Sequence, residues 1–215
     1  MDIGIIGLGR MGGNIARRLI REGHRCVGYD RNSQSVADLS KDGATGARDL
    51  PDLIAKLPRP RVLWLMLPVG PITESAITEA ADRLEAGDII IDGGNTFYKD
   101  DIRRAKSVGS RSIHYIDAGT SGGVWGLERG YCLMIGGETT AVSHLEPLFR
   151  ALAPGAKAAG ATPGRHATMR VGQPFRLEEL LPEGLDRKAQ KTAATDLIMR
   201  RIAAQLHERQ RGVYG

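Results

Sequence analysis

Gly7-Leu8-Gly9-Arg10-Met11-Gly12 follows the apolar run Ile3-Gly4-Ile5-Ile6 and opens a stretch with helical periodicity. The next apolar run, Cys26-Val27-Gly28-Tyr29, ends on Asp30. Strand, glycine turn, helix, strand and acid in this order, with the acid about 20 residues on, make a dinucleotide-binding fingerprint. A bare Gly-x-Gly-x-x-Gly is only a turn. The flanking strands and the acid make this one specific, against the alternative of a glycine turn that binds nothing.

Each position has a physical reason. Gly7 permits the tight turn out of the first strand, Gly9 lets a pyrophosphate approach the backbone, and Gly12 lets helix and strand pack closely. Leu8, Arg10 and Met11 belong to the same cofactor-binding phrase. The helix start presents free N–H groups and a partial positive charge to phosphates. The Asp30 carboxylate can accept both adenosine ribose hydroxyls and would repel a 2′-phosphate, which favours NAD. Arg31 could stack on adenine or meet a 2′-phosphate, so NADP remains the less favoured cofactor.

The chain has 215 residues, 41% hydrophobic and 26% charged. Those values fit one generous globular domain or a domain with an appendage. No apolar run approaches the roughly 20 residues that span a bilayer. Met1-Asp2 carries no basic n-region, so the start reads as a strand and the chain as cytoplasmic. Cys26 and Cys132 fall in expected buried strands, as small core hydrophobes. The scattered histidines have no zinc-site spacing, so no metal is expected. Net charge is +5; up to Gly164 there are 20 basic and 19 acidic residues, and from Arg165 onward 10 and 6. The basic excess therefore belongs to the C-terminal quarter. It lacks interleaved aromatics, which argues against nucleic acid and for a solvated helix face.

Apolar runs predict strands at Ile3–Ile6, Arg25–Tyr29, Val62–Leu67, Asp88–Ile91, Ser112–Ile116 and Tyr131–Ile135. Helical patterns lie between and after them at Gly12–Glu22, Ser33–Lys41, Leu50–Leu57, Ile72–Leu84, Asp100–Val108 and Thr139–Leu152. Gly43, Gly87 and Gly109 stand where left-handed helix caps are common. Strict alternation predicts an α/β fold: a Rossmann-type, doubly wound parallel sheet. The Pro-, Gly- and Ala-rich stretch Ala153–Gly164 reads as a linker. Beyond it, Met169–Gly172 reads as a short strand. Asp186–His207 reads as a helix, with Ala194, Leu197, Ile198, Ile202 and Leu206 on a stripe expected to pack in a core. The domain expectation is a Rossmann domain over 1–153, a linker over 154–168 and an atypical tail with one long helix over 169–215.

In a doubly wound sheet, ligands bind beyond the carboxyl ends of the strands. Leu67-Pro68-Val69-Gly70 would run there beside the pyrophosphate and nicotinamide ribose. Asp92-Gly93-Gly94-Asn95-Thr96 lets the backbone pass the cofactor, and Asn95 offers both an acceptor and a donor. Gly119-Thr120-Ser121-Gly122-Gly123 has backbone N–H groups and a hydroxyl suited to an anion such as a carboxylate. Each alone is an ordinary glycine turn; three on one edge favour a site.

The phrases Ile5–Met11, Asp92–Tyr98 and the run from Asp117-Ala-Gly-Thr-Ser-Gly-Gly-Val-Trp-Gly-Leu-Glu-Arg-Gly-Tyr-Cys to Gly137 resemble the decarboxylating 6-phosphogluconate dehydrogenases, in their shorter NAD-preferring bacterial branch. The likeness runs from Met1 to about Arg165. It implies oxidation of 6-phosphogluconate at C3 by NAD, loss of carbon dioxide and protonation of the enediol to ribulose 5-phosphate, as in the pentose phosphate pathway. It places Asn95 between nicotinamide and substrate, and Ser121, Gly122 and Gly123 around the sugar acid near its carboxylate.

That family carries its base lysine in a Lys-Met-Val-His-Asn phrase after the cofactor domain. This sequence instead reads Pro163-Gly164-Arg165-His166-Ala167-Thr168-Met169-Arg170. No catalytic residue is therefore assigned, and the family's all-helical domain, which builds its dimer, gives way to a short helical tail. Lys188 and Lys191 sit in a polar helix start and read as solvated. The stretches Met169–Phe175, Thr195–Ala203 and Arg211–Gly215 resemble the C-terminal end of bacterial glycerolphosphate-type acyltransferases, whose His-x4-Asp motif is absent here. The expectation is a chimera with impaired turnover, a homo-oligomer open in principle but without the family's dimer domain, and exposed apolar surface around its last strand and helix. A non-catalytic NAD-binding module and a passenger of an acyltransferase-derived tail are the alternatives.

Overall fold

The computed structural model describes residues 1–154, 182, 184 and 186–204. The chain divides into two units, Met1–Thr162 and Pro163–Gly215. In the first, strands and helices alternate: β1 (Asp2–Ile6), α1 (Arg10–Arg21), β2 (Arg25–Tyr29), α2 (Ser33–Lys41), β3 (Thr45–Gly46), α3 (Leu50–Ala55), β4 (Val62–Leu65), α4 (Pro71–Ala81), β5 (Ile89–Asp92), α5 (Tyr98–Gly109) and β6 (His114–Ser121). A 3-10 turn at Gly123–Trp125 and α6 (Gly126–Arg129) lead to β7 (Cys132–Gly136), followed by α7 (Thr139–His144) and α8 (Glu146–Leu152).

The strands form one sheet in the order β3-β2-β1-β4-β5-β6-β7. The chain starts in the middle, builds outward through β2 and β3, then crosses to β4 on the other side of β1. That reversal at β1/β4 opens a crevice at the carboxyl ends of the strands. All pairs but the last are parallel. The doubly wound, mostly parallel sheet is as expected; β7, antiparallel to β6, is its one departure. The reason is length: a parallel return needs a crossover of about a dozen residues or more, and only Gly122–Tyr131 is available.

Two apolar layers cover the sheet, because successive strand side chains point to opposite faces. Ile3, Ile5, Trp64 and Ile91 face α1, α7 and α8, meeting Ile15, Leu19, Leu148 and Phe149. Ile6, Leu63, Leu65 and Ile90 face α3, α4 and α5, meeting Leu53, Ile54, Ile77 and Val108. The central strands are buried along their length, and for that reason read as continuous apolar runs.

Four local expectations change. The helix expected over Thr139–Leu152 breaks at Leu145, because Pro147 in the first turn of α8 has no N–H to continue the ladder. Gly43 and Gly87 take left-handed caps, with φ of 102° and 88°, but Gly109 stays in α5 and Ser112 takes the left-handed position at 58°. Cys26 is buried, whereas Cys132 is exposed, because β7 is an edge strand whose alternate residues face outward. The exposed apolar groups expected on the last strand and helix reduce to Met134, since Leu148, Phe149 and Leu152 of α8 are covered.

In the second unit the structure describes α9 (Arg187–Ala203). Asp186 caps it, accepting the Ala189 N–H at 2.8 Å. On its apolar stripe Ala194 and Leu197 are half-buried and Ile198 is exposed, so the stripe is less covered than expected. The side chain of Ile202, Leu206, the linker beyond Pro154 and the strand at 169–172 lie outside the described residues. Among the described residues no helix is long and apolar enough to cross a membrane, and no group of histidine, cysteine or carboxylate side chains could hold a metal ion.

Candidate functional site

The glycine phrase is a backbone device. Gly7 leaves β1 at φ 89°, and a Cβ there would stand 2.5 Å from the Met66 carbonyl oxygen. Its N–H donates to the Tyr29 carbonyl at 2.9 Å, tying the turn to the end of β2. Gly12 lies against the same turn: a Cβ would fall 1.9 Å from the Gly7 carbonyl oxygen. Gly9 is different. It caps α1 with no side-chain hydrogen bond, and a Cβ there would meet nothing within 4 Å. The first turn of α1 contains no acidic residue, while Arg18 and Arg21 sit in its last turn. The helix thus points an uncapped, positive end into open space beside a flat backbone, which is a cradle for an anionic group.

Asp30 stands at the end of β2 beside that cradle. One carboxylate oxygen accepts the Leu8 N–H at 2.6 Å and the other accepts the Asn32 N–H at 2.8 Å. Each oxygen keeps a second acceptor position. The acid therefore locks the glycine turn to the strand it follows and still faces outward. Arg31 and Arg10 are exposed, and Met11 is half-buried.

On the other side of β1, three more strand ends share the edge. The registers Ile6↔Leu65, Leu65↔Asp92 and Asp92↔Asp117 put the ends of β1, β4 and β5 level with Asp117 in β6. Three strand spacings separate the first from the last, roughly 14 Å. After β4, Leu67 is half-buried and Pro68 and Val69 are exposed; the Thr73 hydroxyl donates to the Pro68 carbonyl at 2.8 Å and holds that loop. After β5, Gly93 passes so close to Trp64 that a Cβ would lie 2.1 Å from its indole nitrogen. Asn95 follows on the exposed surface.

The Gly119–Gly123 phrase is placed differently from expectation. Gly119–Ser121 is part of β6, paired with β7; only Gly122 links it to the 3-10 turn that begins at Gly123. β6 overhangs the level of its neighbours by four residues, about 13 Å. Ser121 and Gly123 are exposed at the tip of this overhang, and Gly122 is half-buried. Trp125 follows, exposed, with the Arg129 guanidinium 4.8 Å from its ring centre.

Residue types and spacing gave no sign of the buried polar cluster beneath these loops. Arg104 of α5 is 3% exposed, with Nη1 at 3.2 Å from Asp92 and 3.5 Å from Asp101, and Nε at 2.9 Å from Glu74. The Tyr115 hydroxyl of β6 lies 3.0 Å from Asp92 and 2.9 Å from Asp101. Burial pushes the Asp92 carboxyl above its ordinary range, with the Gly94 N–H and Tyr115 pulling the other way. Burial also raises Asp117, helped by the charges of Asp101 and Asp92. Glu74, gripped by Arg103 and then Arg104, is held down at about 2.

A cradle at a helix start, an acid one strand over and a row of open glycine loops make a dinucleotide site in geometry, and relatives agree. The family profile described as the NAD binding domain of 6-phosphogluconate dehydrogenase matches residues 2–162. The chain belongs to this family. This NAD-binding domain is 45% identical over 150 residues to YqeC of Bacillus subtilis, a protein named for 6-phosphogluconate dehydrogenase, covering 70% of this chain and 50% of that one. It is 37% identical over 155 residues to the NAD(+)-dependent, decarboxylating 6-phosphogluconate dehydrogenase of Haloferax volcanii, covering 72% and 51%. Among solved structures, the 6-phosphogluconate dehydrogenase of Plasmodium falciparum, studied with NADP+ and with 6-phosphogluconate, superposes with a TM-score of 0.67 at 31% identity, covering 71% of this chain and 34% of that one. The chain thus spans about half or less of the length of these relatives.

Proposed function

We propose that this chain is the cofactor-holding part of an NAD-linked 6-phosphogluconate dehydrogenase. The observation that carries this reading is the uncapped start of α1 at Gly9, with open space where a Cβ would stand and with Asp30 bonded to Leu8 beside it. The N–H groups of the α1 start and the backbone at Gly9 hold the pyrophosphate. Asp30 accepts the adenosine ribose hydroxyls from its remaining lone pairs and repels a 2′-phosphate, which favours NAD over NADP. The name of the Haloferax relative supports that preference. Leu67, Pro68 and Val69 flank the pyrophosphate and nicotinamide ribose.

When bound, NAD supplies the hydride acceptor for oxidation of the substrate carbinol. This chain contributes position. Asn95 stands at the end of β5, where its amide can hydrogen-bond on both sides, between the nicotinamide and the sugar acid. Ser121, with Gly122 and Gly123, offers a hydroxyl and backbone N–H groups to the substrate carboxylate. The 215 residues contain no Lys-Met-Val-His-Asn phrase, so no base is assigned in this chain. A positioned base contributes about 10²–10⁴-fold. Turnover by the 215-residue chain alone should be reduced by at least that factor.

Titration with NADH and NADPH, followed by fluorescence, tests the reading. Saturable NADH binding that is tighter than NADPH binding is expected; no NADH binding at millimolar cofactor would refute it. Formation of NADH that depends on 6-phosphogluconate then separates a weak enzyme from a module that only binds.

A further inference from the structure

We propose that the buried Arg104–Asp92–Asp101–Tyr115 cluster positions the Asn95 loop, and through it the nicotinamide half of the cofactor; this rests on the NAD-binding reading above. The segment 93–97 joins β5 to α5 with few restraints of its own. Phe97, at the start of α5, provides no side-chain cap, and Asn95, Phe97 and Tyr98 are exposed. Two carboxylates hold it. Asp92 accepts the Gly94 N–H at 2.9 Å, and Asp101 accepts the Thr96 hydroxyl, with its two oxygens at 2.9 and 3.0 Å. Asn95 lies between the two anchored residues.

Those carboxylates are themselves fixed from three elements. Tyr115 of β6 reaches both, Arg104 of α5 reaches both, and Glu74 of α4 grips Arg104 from the far side. Glu74 also pairs with both Nη atoms of Arg103 at 2.8 Å, and the helix it belongs to begins just after the Leu67–Gly70 loop. One cluster therefore ties together the loops after β4 and β5. Both lie on the side of β1 opposite Asp30, the half of a doubly wound sheet that takes the second mononucleotide.

Stability alone is a weak reason for such a cluster. Desolvating buried ion pairs costs about as much as their attraction returns, and apolar replacements of similar size are often neutral or better. What the cluster supplies is one geometry: fixed hydrogen-bond directions under Gly94–Thr96, beyond the point where Gly93 is held against Trp64 and by its N–H to the Leu65 carbonyl at 2.9 Å. Arg104, Asp101 and Tyr115 are positioning residues here. They do not touch the cofactor.

The test uses the full chain and two probes. NADH spans the whole site, and ADP-ribose lacks only the nicotinamide ring, the part of the cofactor that meets the Asn95 loop. Thr96→Val cuts the loop from Asp101 and leaves the buried charges intact; Tyr115→Phe removes the shared hydroxyl and keeps the ring. For each, NADH affinity should fall about ten-fold, the worth of a hydrogen bond to a charged group. ADP-ribose affinity should stay within about two-fold, as expected for sites that share no partner. Amide exchange at 93–97 should quicken while that of β1 and β2 does not change. Should both probes weaken together, or NADH binding stay at the wild-type level in Thr96→Val, the positioning role is overturned. If Tyr115→Phe does not fold, Thr96→Val decides the matter alone. Wild-type protein that binds ADP-ribose but shows no NADH advantage overturns the inference and spares the adenosine site. Wild-type protein that binds neither refutes the NAD reading itself.

Discussion

Replacing Gly12 with alanine and, separately, Gly9 with alanine distinguishes packing from ligand approach within one phrase. A Cβ at Gly12 would stand 1.9 Å from the Gly7 carbonyl oxygen and 3.1 Å from the Met66 Cβ. Ordinary contact begins near 3.4 Å, so the α1 start must move from the turn by about 1.5 Å. The obstructing atom is backbone, held by the Gly7–Tyr29 hydrogen bond at 2.9 Å, and cannot rotate aside. Overpacking of this kind costs roughly 1–3 kcal/mol. For a chain of this size that lowers Tm by about 2–12 °C. A displacement of the same order at the cradle costs about 100-fold in a positioned interaction, so NADH affinity should fall with stability. Gly9→Ala meets no protein atom within 4 Å and should melt within a few degrees of the wild type. Its methyl group instead fills the space in front of the uncapped helix start, so NADH affinity should fall at least ten-fold while the fold persists. Thermal melts with parallel NADH titrations check both. Gly9→Ala binding as the wild type does, or Gly12→Ala melting where the wild type does, would refute the reasoning.

Three further outcomes rest on contacts elsewhere in the domain. Asp30→Asn puts an amide NH₂ against one of two backbone N–H groups now accepted at 2.6 and 2.8 Å, and removes the charge that repels a 2′-phosphate; NADH affinity should fall by about ten-fold or more and the NADH-to-NADPH ratio should shrink, so unchanged selectivity would sink the assignment. Glu74 is held at about 2, below its ordinary 4.5, chiefly by Arg103, so its contribution is full above pH 4.5 and is lost as pH falls towards 2; the stability gap between wild type and Glu74→Gln should close over that window in acid melts, and a gap that widens there would contradict it. Arg18 donates to the carbonyls of Leu127, Ala151, Leu152 and Ala153 at 2.9–3.2 Å, so Arg18→Ala should cost on the order of 3 kcal/mol and about 6–12 °C in Tm, checked by calorimetry.

The sequence exposes one half of the site better than the other, and the reason is physical. The adenosine half is built from consecutive backbone: Gly7 turns, Gly12 packs, and Asp30 ends the adjoining strand, with Ile6 and Tyr29 in register. Residue type and local spacing carry all of that. The same holds for β2 and α2, whose expected limits match those observed, because apolar periodicity and the Asn32 cap are local signals. Where spacing alone was used, it failed. Apolar spacing runs unbroken through α7 and α8 although Pro147 divides them, and β6 extends through Ser121 because β7 folds back onto it. A two-residue strand such as Thr45–Gly46 is too short to have a period, and was not expected.

The nicotinamide half rests on pairs far apart in sequence. Arg104 meets Glu74 30 residues earlier, and Tyr115 meets Asp92 23 residues earlier. Periodicity sees Arg104 only as a charge on a helix, and a charge on a helix is ordinarily solvated. Its burial follows from α5 lying across β6 with Asp92 at the strand end beneath it, a fact of tertiary packing. Asn95 shows the difference within one residue. Its chemistry is legible from the side chain, an acceptor and a donor at a strand end, but its position depends on Thr96, Asp101, Arg104 and Tyr115, none of which announces that role. Substitutions there should therefore leave the fingerprint and the family likeness intact while moving the amide proposed to face the nicotinamide.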